Sequence, residues 1–150
     1  MELKDEIIIE APRDVVYAAL NDPEILQASI PGCEELTKHS DTELEAKVVL
    51  KIGPVKAKFG GRVTLNPEAP PERFSLTGSG NGGPAGFAKG GAVVELEEHP
   101  EGTLLRYNAT ADIGGKLAQL GSRLIQSTSK KLAAKFFKTF AEQVRAQVAA

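Results

Sequence analysis

The sequence predicts an α+β fold in which a curved antiparallel sheet of about six or seven strands is wrapped around one long C-terminal helix. Segments of alternating apolar and polar residues follow one another between residues 43 and 113, and the chain beyond residue 116 contains no proline. Because a sheet that buries one face needs a cover, the helix is expected to lie across it. The chain is predicted to form a single domain, 1–150.

The N-terminal part of the chain predicts one strand followed by two short helices. Residues 2–10 alternate between apolar and polar side chains, as a half-buried strand does. Pro12 stands where helices often begin, and Asp22 with Pro23 both stops the first helix and starts the second. Pro31-Gly32 ends the second helix.

Five further strands are predicted from alternation between turn residues. They cover residues 43–52, 55–65, 73–80, 88–97 and 105–113. The face assigned inward carries almost no titratable side chain, Asp5 being the exception. Since acid–base catalysis needs positioned titratable groups, this face favours binding over catalysis.

One long helix is predicted from Lys116 to about Val148, because only one glycine and no proline interrupt this stretch. Its apolar residues recur every four positions, which on a helix of 3.6 residues per turn drifts by about 40° per step. The resulting spiral stripe suits a helix that crosses a twisted sheet.

Seven glycines between residues 78 and 91 leave two compatible interpretations. They permit bends in a strongly curved sheet, and they remove side chains that would otherwise fill the space under the helix. The second interpretation predicts a ligand-binding cavity. Its predicted lining consists of Leu50, Phe59, Val63, Phe74, Leu76, Ala88, Ala92, Tyr107, Ala109, Leu120, Leu124 and Thr128.

The net charge of −2 hides an uneven distribution. Acids dominate residues 1–45, whereas bases dominate residues 46–66 and 116–150. A regularly spaced basic stripe is predicted on the exposed side of the C-terminal helix, formed by Lys116, Arg123, Lys130, Lys138 and Arg145. Two interpretations stay open: solvated faces that attract each other in the fold, or a surface that docks to a protein or an anionic membrane.

Several functional classes are disfavoured. The small net charge does not indicate nucleic-acid binding, and no apolar run approaches the ~18 residues of a membrane span. His39 and His99 lie in separate turns and have no partner at ligand spacing, so neither a metal site nor a cofactor is expected. The single cysteine, Cys33, has acidic neighbours that disfavour a thiolate and fits a reducing compartment. The expected location is the cytoplasm, with the inner face of the membrane as a peripheral site.

Three motifs give the chain a family resemblance: IPGCE at 30–34, GPVKAKFGG at 53–61 and GGKLAQLGSRLI at 114–125. The chain resembles the CoxG family of carbon monoxide dehydrogenase proteins, within the SRPBCC or START-like superfamily of helix-grip proteins. The resemblance implies an internal hydrophobic cavity and an accessory role beside molybdenum-containing hydroxylases. It also implies a lipid-like ligand such as a quinone.

Three functions are consistent with these observations. The first is a non-catalytic accessory protein that binds a hydrophobic small molecule and docks to a redox enzyme or a membrane. The second is an enzyme of the cyclase or hydratase type found elsewhere in the superfamily, which would need polar groups in the cavity. The third is a protein–protein assembly factor with a vestigial cavity.

Overall fold

The computed structural model describes residues 1–149 and contains seven strands and three α-helices in that range. In chain order these are β1 (Glu2–Ile9), α1 (Arg13–Leu20), α2 (Pro23–Ser29), β2 (Cys33–Lys38), β3 (Glu43–Ile52), β4 (Val55–Ala69), β5 (Arg73–Asn81), β6 (Phe87–His99), β7 (Gly102–Gly114) and α3 (Ser122–Ala149). Two short 3₁₀ segments, Gly83–Ala85 and Gly115–Leu120, stand before β6 and before α3.

The strands form one antiparallel sheet in the order β1-β7-β6-β5-β4-β3-β2. Strands β2 to β7 are joined sequentially, so each pairs with the next along the chain. Strand β1 departs from this order, because it pairs with β7 and not with β2. The predicted fold class is confirmed: the sheet holds seven strands, and the long C-terminal helix packs against it.

The two short helices begin where the sequence predicts. The first helical residue follows Pro12, and Pro23 occupies the first turn of α2. The Asp22 carboxylate accepts a hydrogen bond of 2.9 Å from the backbone N–H of Glu24, which satisfies one of the free donors at the start of α2.

The long helix begins at Ser122, so its predicted start at Lys116 is wrong. Gly121 has a φ of +91°, a conformation that interrupts a right-handed helix, and the residues before it form the 3₁₀ segment. Lys116 and Leu120 therefore belong to that segment and not to α3.

Strand β2 is an element that the sequence analysis did not identify. Its pairing with β3 shifts register between Cys33 and Glu35, as at a β-bulge. The bulge breaks the alternation of period two, which is the signal that identifies the other strands.

The C-terminal half of α3 is packed far more tightly than the N-terminal half. Phe140 and Val144 are fully buried, together with Ile9, Val16 and Leu105 from β1, α1 and β7. In the N-terminal half, Ile125 is the one residue of the helix that is buried. Space is therefore left between the sheet and the first half of α3.

Part of the uneven charge is compensated by ion pairs among β2, β3 and β4. Lys47 pairs with Glu35 at 3.1 Å, Lys58 with Glu34 at 3.2 Å, and Arg62 with Glu45 at 3.1 Å. Three of the five basic residues of 46–66 thus pair with acids of the N-terminal segment, as one of the two interpretations predicts. All these side chains are substantially exposed, so each pair is worth only about 0–1 kcal/mol.

Candidate ligand-binding cleft

Two adjoining apolar cavities lie between the sheet and α3. The outer cavity, of about 450 Å³, lies under the first half of the helix, where Leu50, Phe59 and Ala88 of the sheet face Thr128 and Leu132 of α3. The inner cavity, of about 270 Å³, lies deeper, between the helix and the central strands. Its walls include Leu44, Val63, Phe74, Leu76, Ala92 and Tyr107.

Each end of the cleft is closed by a hydrophobic cluster. Phe140 and Val144 belong to the large cluster that fixes the C-terminal half of α3. At the opposite end, Val55, Ala85 and Leu117 form a smaller buried cluster, which holds the 3₁₀ segment before α3 against the sheet. The helix is therefore fixed at both ends, and the cavities occupy the span between them.

The glycines of the cleft are of two kinds. A Cβ built on Gly90 would lie 2.0 Å from the carbonyl oxygen of Thr110, so close backbone packing requires glycine there. A Cβ on Gly61 or Gly80 would meet no atom closer than 3.5 Å. Both of these residues line the outer cavity, so their missing side chains enlarge it. The two interpretations of the glycine-rich stretch therefore apply to different residues.

Few polar side chains reach the cavities. In the described part of the chain they are Thr128 and Ser129 in the outer cavity and Tyr107 in the inner one. Burial, together with the nearby Asp5 carboxylate, raises the pKa of Tyr107 above its ordinary value. Tyr107 is consequently a neutral hydrogen-bonding group at physiological pH and stacks on Phe137 with ring centroids 5.1 Å apart.

Nine of the twelve residues predicted to line a cavity do so. Leu50, Phe59, Ala88 and Thr128 line the outer cavity, whereas Val63, Phe74, Leu76, Ala92 and Tyr107 line the inner one.

Ala109, Leu120 and Leu124 line neither cavity. Ala109 pairs with Leu3 of the edge strand β1, toward the margin of the sheet. Leu120 packs on the small cluster at the end of the cleft. Leu124 lies under the β3–β4 turn, where a Cβ on Gly53 would be 2.9 Å from its Cδ2 atom. Both leucines therefore close the cleft at its end.

Among the lining residues that were not predicted from the sequence, Ile30 and Phe136 line both cavities. Phe136 lies on the predicted apolar stripe of the long helix, and Ile30 stands at the end of α2 within the first family motif. Their positions on apolar faces were predictable, but their shared place in the cleft depends on how α2 packs against α3.

The basic residues of α3 are exposed. Arg123, Lys130, Lys138 and Arg145 lie on the helix, and Lys131 and Lys135 extend the same surface. Lys116 is exposed too, but it is separated from the others by the break at Gly121.

Arg145 pairs with Glu10 at 3.4 Å, and within residues 1–149 the other five basic residues of α3 form no ion pair. We call Arg123, Lys130, Lys131, Lys135 and Lys138 the basic face. In the described part of the chain no carboxylate forms an ion pair with this face, whereas three of the five basic residues of 46–66 are paired.

The histidines and the cysteine lie away from the cleft. The imidazole of His39 is 3.7 Å from Glu45, and Nδ1 of His99 accepts a hydrogen bond from the backbone N–H of Glu101. Burial raises the pKa of the Cys33 thiol, partly offset by a backbone hydrogen bond at Glu35. Within residues 1–149, no three His, Cys, Asp or Glu side chains come together as a metal site would require.

The arrangement defines a helix-grip protein with an apolar cleft: an antiparallel sheet curved around a C-terminal helix, with two short helices after the first strand. The family model for CoxG, the G subunit of carbon monoxide dehydrogenase, matches residues 6–145. The chain belongs to this family. A sequence comparison with curated proteins gives no match. In residues 1–149, no helix combines the length and hydropathy of a bilayer span.

Solved structures with the same fold cover nearly the whole chain. A conserved protein from Geobacillus kaustophilus is 29% identical with a TM-score of 0.90, over 97% of this chain and 96% of that one. A Thermus thermophilus protein is 19% identical with a TM-score of 0.73, over 98% and 99%. The Zhui aromatase/cyclase from Streptomyces is 11% identical with a TM-score of 0.68, over 99% and 95%. The last two similarities show the fold alone.

Proposed function

We propose that this chain is a non-catalytic accessory protein that holds a hydrophobic small molecule, a quinone or another lipid, beside a molybdenum hydroxylase of the CO dehydrogenase type. The observation that carries the proposal is the pair of apolar cavities under a helix fixed only at its ends. The outer cavity falls within the roughly 300–1,000 Å³ of small-molecule sites. Membership of the CoxG family supports the link to CO dehydrogenase.

The basic face of α3 supplies the docking surface in this proposal. Its five exposed side chains line neither cavity, so a partner can bind there without occupying the ligand's space. The partner is an acidic surface of the hydroxylase, and an anionic membrane on the cytoplasmic side is the alternative. Such a surface increases the association rate more than the final affinity.

A cyclase-type enzyme is the competing function, because an aromatase/cyclase shares the fold. Such chemistry needs a group able to take and return protons near the bound molecule. The polar side chains described in the cavities are two hydroxyl residues and Tyr107, whose raised pKa makes it a poor base at neutral pH. The composition of the cleft therefore favours binding.

Native mass spectrometry of the purified protein, followed by solvent extraction, tests the proposal. We expect an apolar molecule to accompany the wild-type chain and to be lost in Gly80→Leu, which places a side chain in the outer cavity. Gly60→Leu is the matched control. Gly60 neighbours Gly61 but is exposed on the opposite face, with no atom within 4 Å of a built Cβ. A wild-type protein that carries no such molecule and binds no added ubiquinone would contradict the proposal.

A further inference from the structure

Two residues lie where the two cavities of the cleft adjoin. Ile30 and Phe136 are the residues common to both linings, one at the end of α2 and the other on α3. Every other described lining residue belongs to only one of these two cavities. A molecule that fills the outer cavity meets this pair before it reaches the inner cavity.

Both residues are held by their neighbours. The Phe136 ring stacks on Phe140 with centroids 5.8 Å apart and meets Phe137 edge-on at 4.9 Å. Phe140 is fully buried and so provides a fixed support. The backbone N–H of Ile30 donates a 2.9 Å hydrogen bond to Leu26, which anchors it to the end of α2. The positions of both residues are therefore fixed by the structure around them.

The outer cavity is elongated along the helix. Its residues on α3 run from Ile125 to Phe136, a distance of about 16 Å at 1.5 Å per residue. Its lining is apolar along almost this whole length. An apolar space that extends this far along the helix fits a linear hydrocarbon chain, and Phe136 lies at its far end.

We infer that Ile30 and Phe136 set the maximum length of the ligand's hydrocarbon chain, by closing the outer cavity toward the inner one. The inference rests on the proposed function and specifies it: the ligand is a molecule with a linear apolar chain that ends at Phe136. Truncation of either residue joins the two cavities and admits a longer chain.

The experiment measures the affinities of straight-chain alcohols from hexanol to dodecanol by displacement of the fluorescent probe ANS. For the wild type we expect a gain of about fourfold per methylene until the outer cavity is filled, and a plateau beyond that length. For Phe136→Ala we expect the gain to continue to longer alcohols. Ile30→Ala truncates the other shared residue and gives a second, independent variant should Phe136→Ala unfold.

Phe87→Ala is the matched control, since this phenylalanine is 48% exposed and does not line either cavity. Its affinity should stop increasing at the same alcohol length as that of the wild type. The inference is overturned if the wild type shows a plateau that neither Phe136→Ala nor Ile30→Ala moves, an outcome that leaves the proposed function intact. A wild type that binds no alcohol and displaces no ANS would overturn the proposed function along with it.

Discussion

Individual glycines of the cleft act in one of two ways: they leave volume for a ligand, or they allow two strands to pack closely. At Gly90 the opposing backbone leaves no room for a side chain, so glycine is a condition for the pairing of β6 with β7. At Gly80 there is room, and the absent side chain contributes volume to the outer cavity. The same residue type therefore serves stability at one position and ligand space at the other.

This difference predicts opposite effects of alanine. Gly80→Ala should leave the free energy of unfolding unchanged or raise it by up to about 1 kcal/mol, because it restricts the unfolded chain without a clash. Gly90→Ala should lower it by more than about 1 kcal/mol, because the methyl group would overlap the backbone of Thr110. Urea denaturation measures both values, and equal losses would show that Gly80 is also constrained by packing.

Cys33 gives a second test at single-residue resolution. Because burial raises the pKa of its thiol, the reactive thiolate forms at higher pH in the folded protein than in the unfolded chain. When the rate of alkylation by iodoacetamide is plotted against pH, the midpoint of the curve should therefore lie at a higher pH in buffer than in urea. Coincident midpoints would mean that the Cys33 thiol is not desolvated in the fold.

At the level of elements, α3 is an anchor at its C-terminal end and a cavity wall along its first half. Phe140 is fully buried in the main cluster, whereas Leu132 lines the outer cavity. The two side chains are eight residues apart on one helix, so their environments can be compared within the same element.

Truncation of these two residues should have unequal costs. Phe140→Ala is expected to lower the free energy of unfolding by about 3–5 kcal/mol, the usual cost of a cavity in a dense core. Leu132→Ala should cost about 1 kcal/mol, because its side chain already faces empty space. The comparison uses urea denaturation of the ligand-free protein. Similar losses at both positions would indicate that the first half of α3 is packed as densely as the second.

The strands that the sequence predicted are those in which apolar and polar residues alternate without interruption. Alternation predicted six strands, and proline and Asp22 predicted the short helices. Strand β2 was missed because its bulge at Cys33 destroys the alternation. The start of α3 was wrong because the apolar spacing continues from Leu120 to Leu124, whereas the backbone turns at Gly121. That turn depends on how the 3₁₀ segment packs on the sheet.

The residues that line the cavities were likewise predictable where the sequence pattern is regular. Positions on strands were largely predictable, since parity along a strand fixes the face. Leu120 and Leu124 were misplaced because their positions depend on the break at Gly121. The place of Ile30 in the linings of both cavities depends on tertiary packing, which no local sequence pattern contains.

At the level of the whole molecule, positive charge is distributed in two ways. Three of the five basic residues of β3 and β4 pair with acids of β2 and β3, whereas the described residues include no carboxylate paired with the basic face of α3. A near-neutral protein therefore presents one distinctly positive surface. Such a surface attracts anionic partners most strongly at low ionic strength.

Reversal of the charges at Arg123, Lys130 and Lys138 to Glu should weaken binding to phosphatidylglycerol vesicles or to the cognate dehydrogenase, with the largest loss at low salt. Occupancy of the cavities should not change, because these side chains do not line them. Sedimentation with vesicles and co-elution with the enzyme measure the effect. A control with the same total charge reverses the exposed Lys51, Lys89 and Lys116. Equal binding by the two triple variants would show that net charge, and not the basic face, controls docking.

The wall of the outer cavity at Gly61 and Gly80 has a consequence for observing the ligand from outside. Both residues also line a shallow groove on the opposite face of the sheet, so only one layer of backbone separates the cavity from solvent there. The environment of their backbone amides therefore depends on what occupies the cavity on one side and the groove on the other. The backbone amide resonances of these two glycines should therefore shift when the cavity fills, although no ligand atom is exposed at that outer surface.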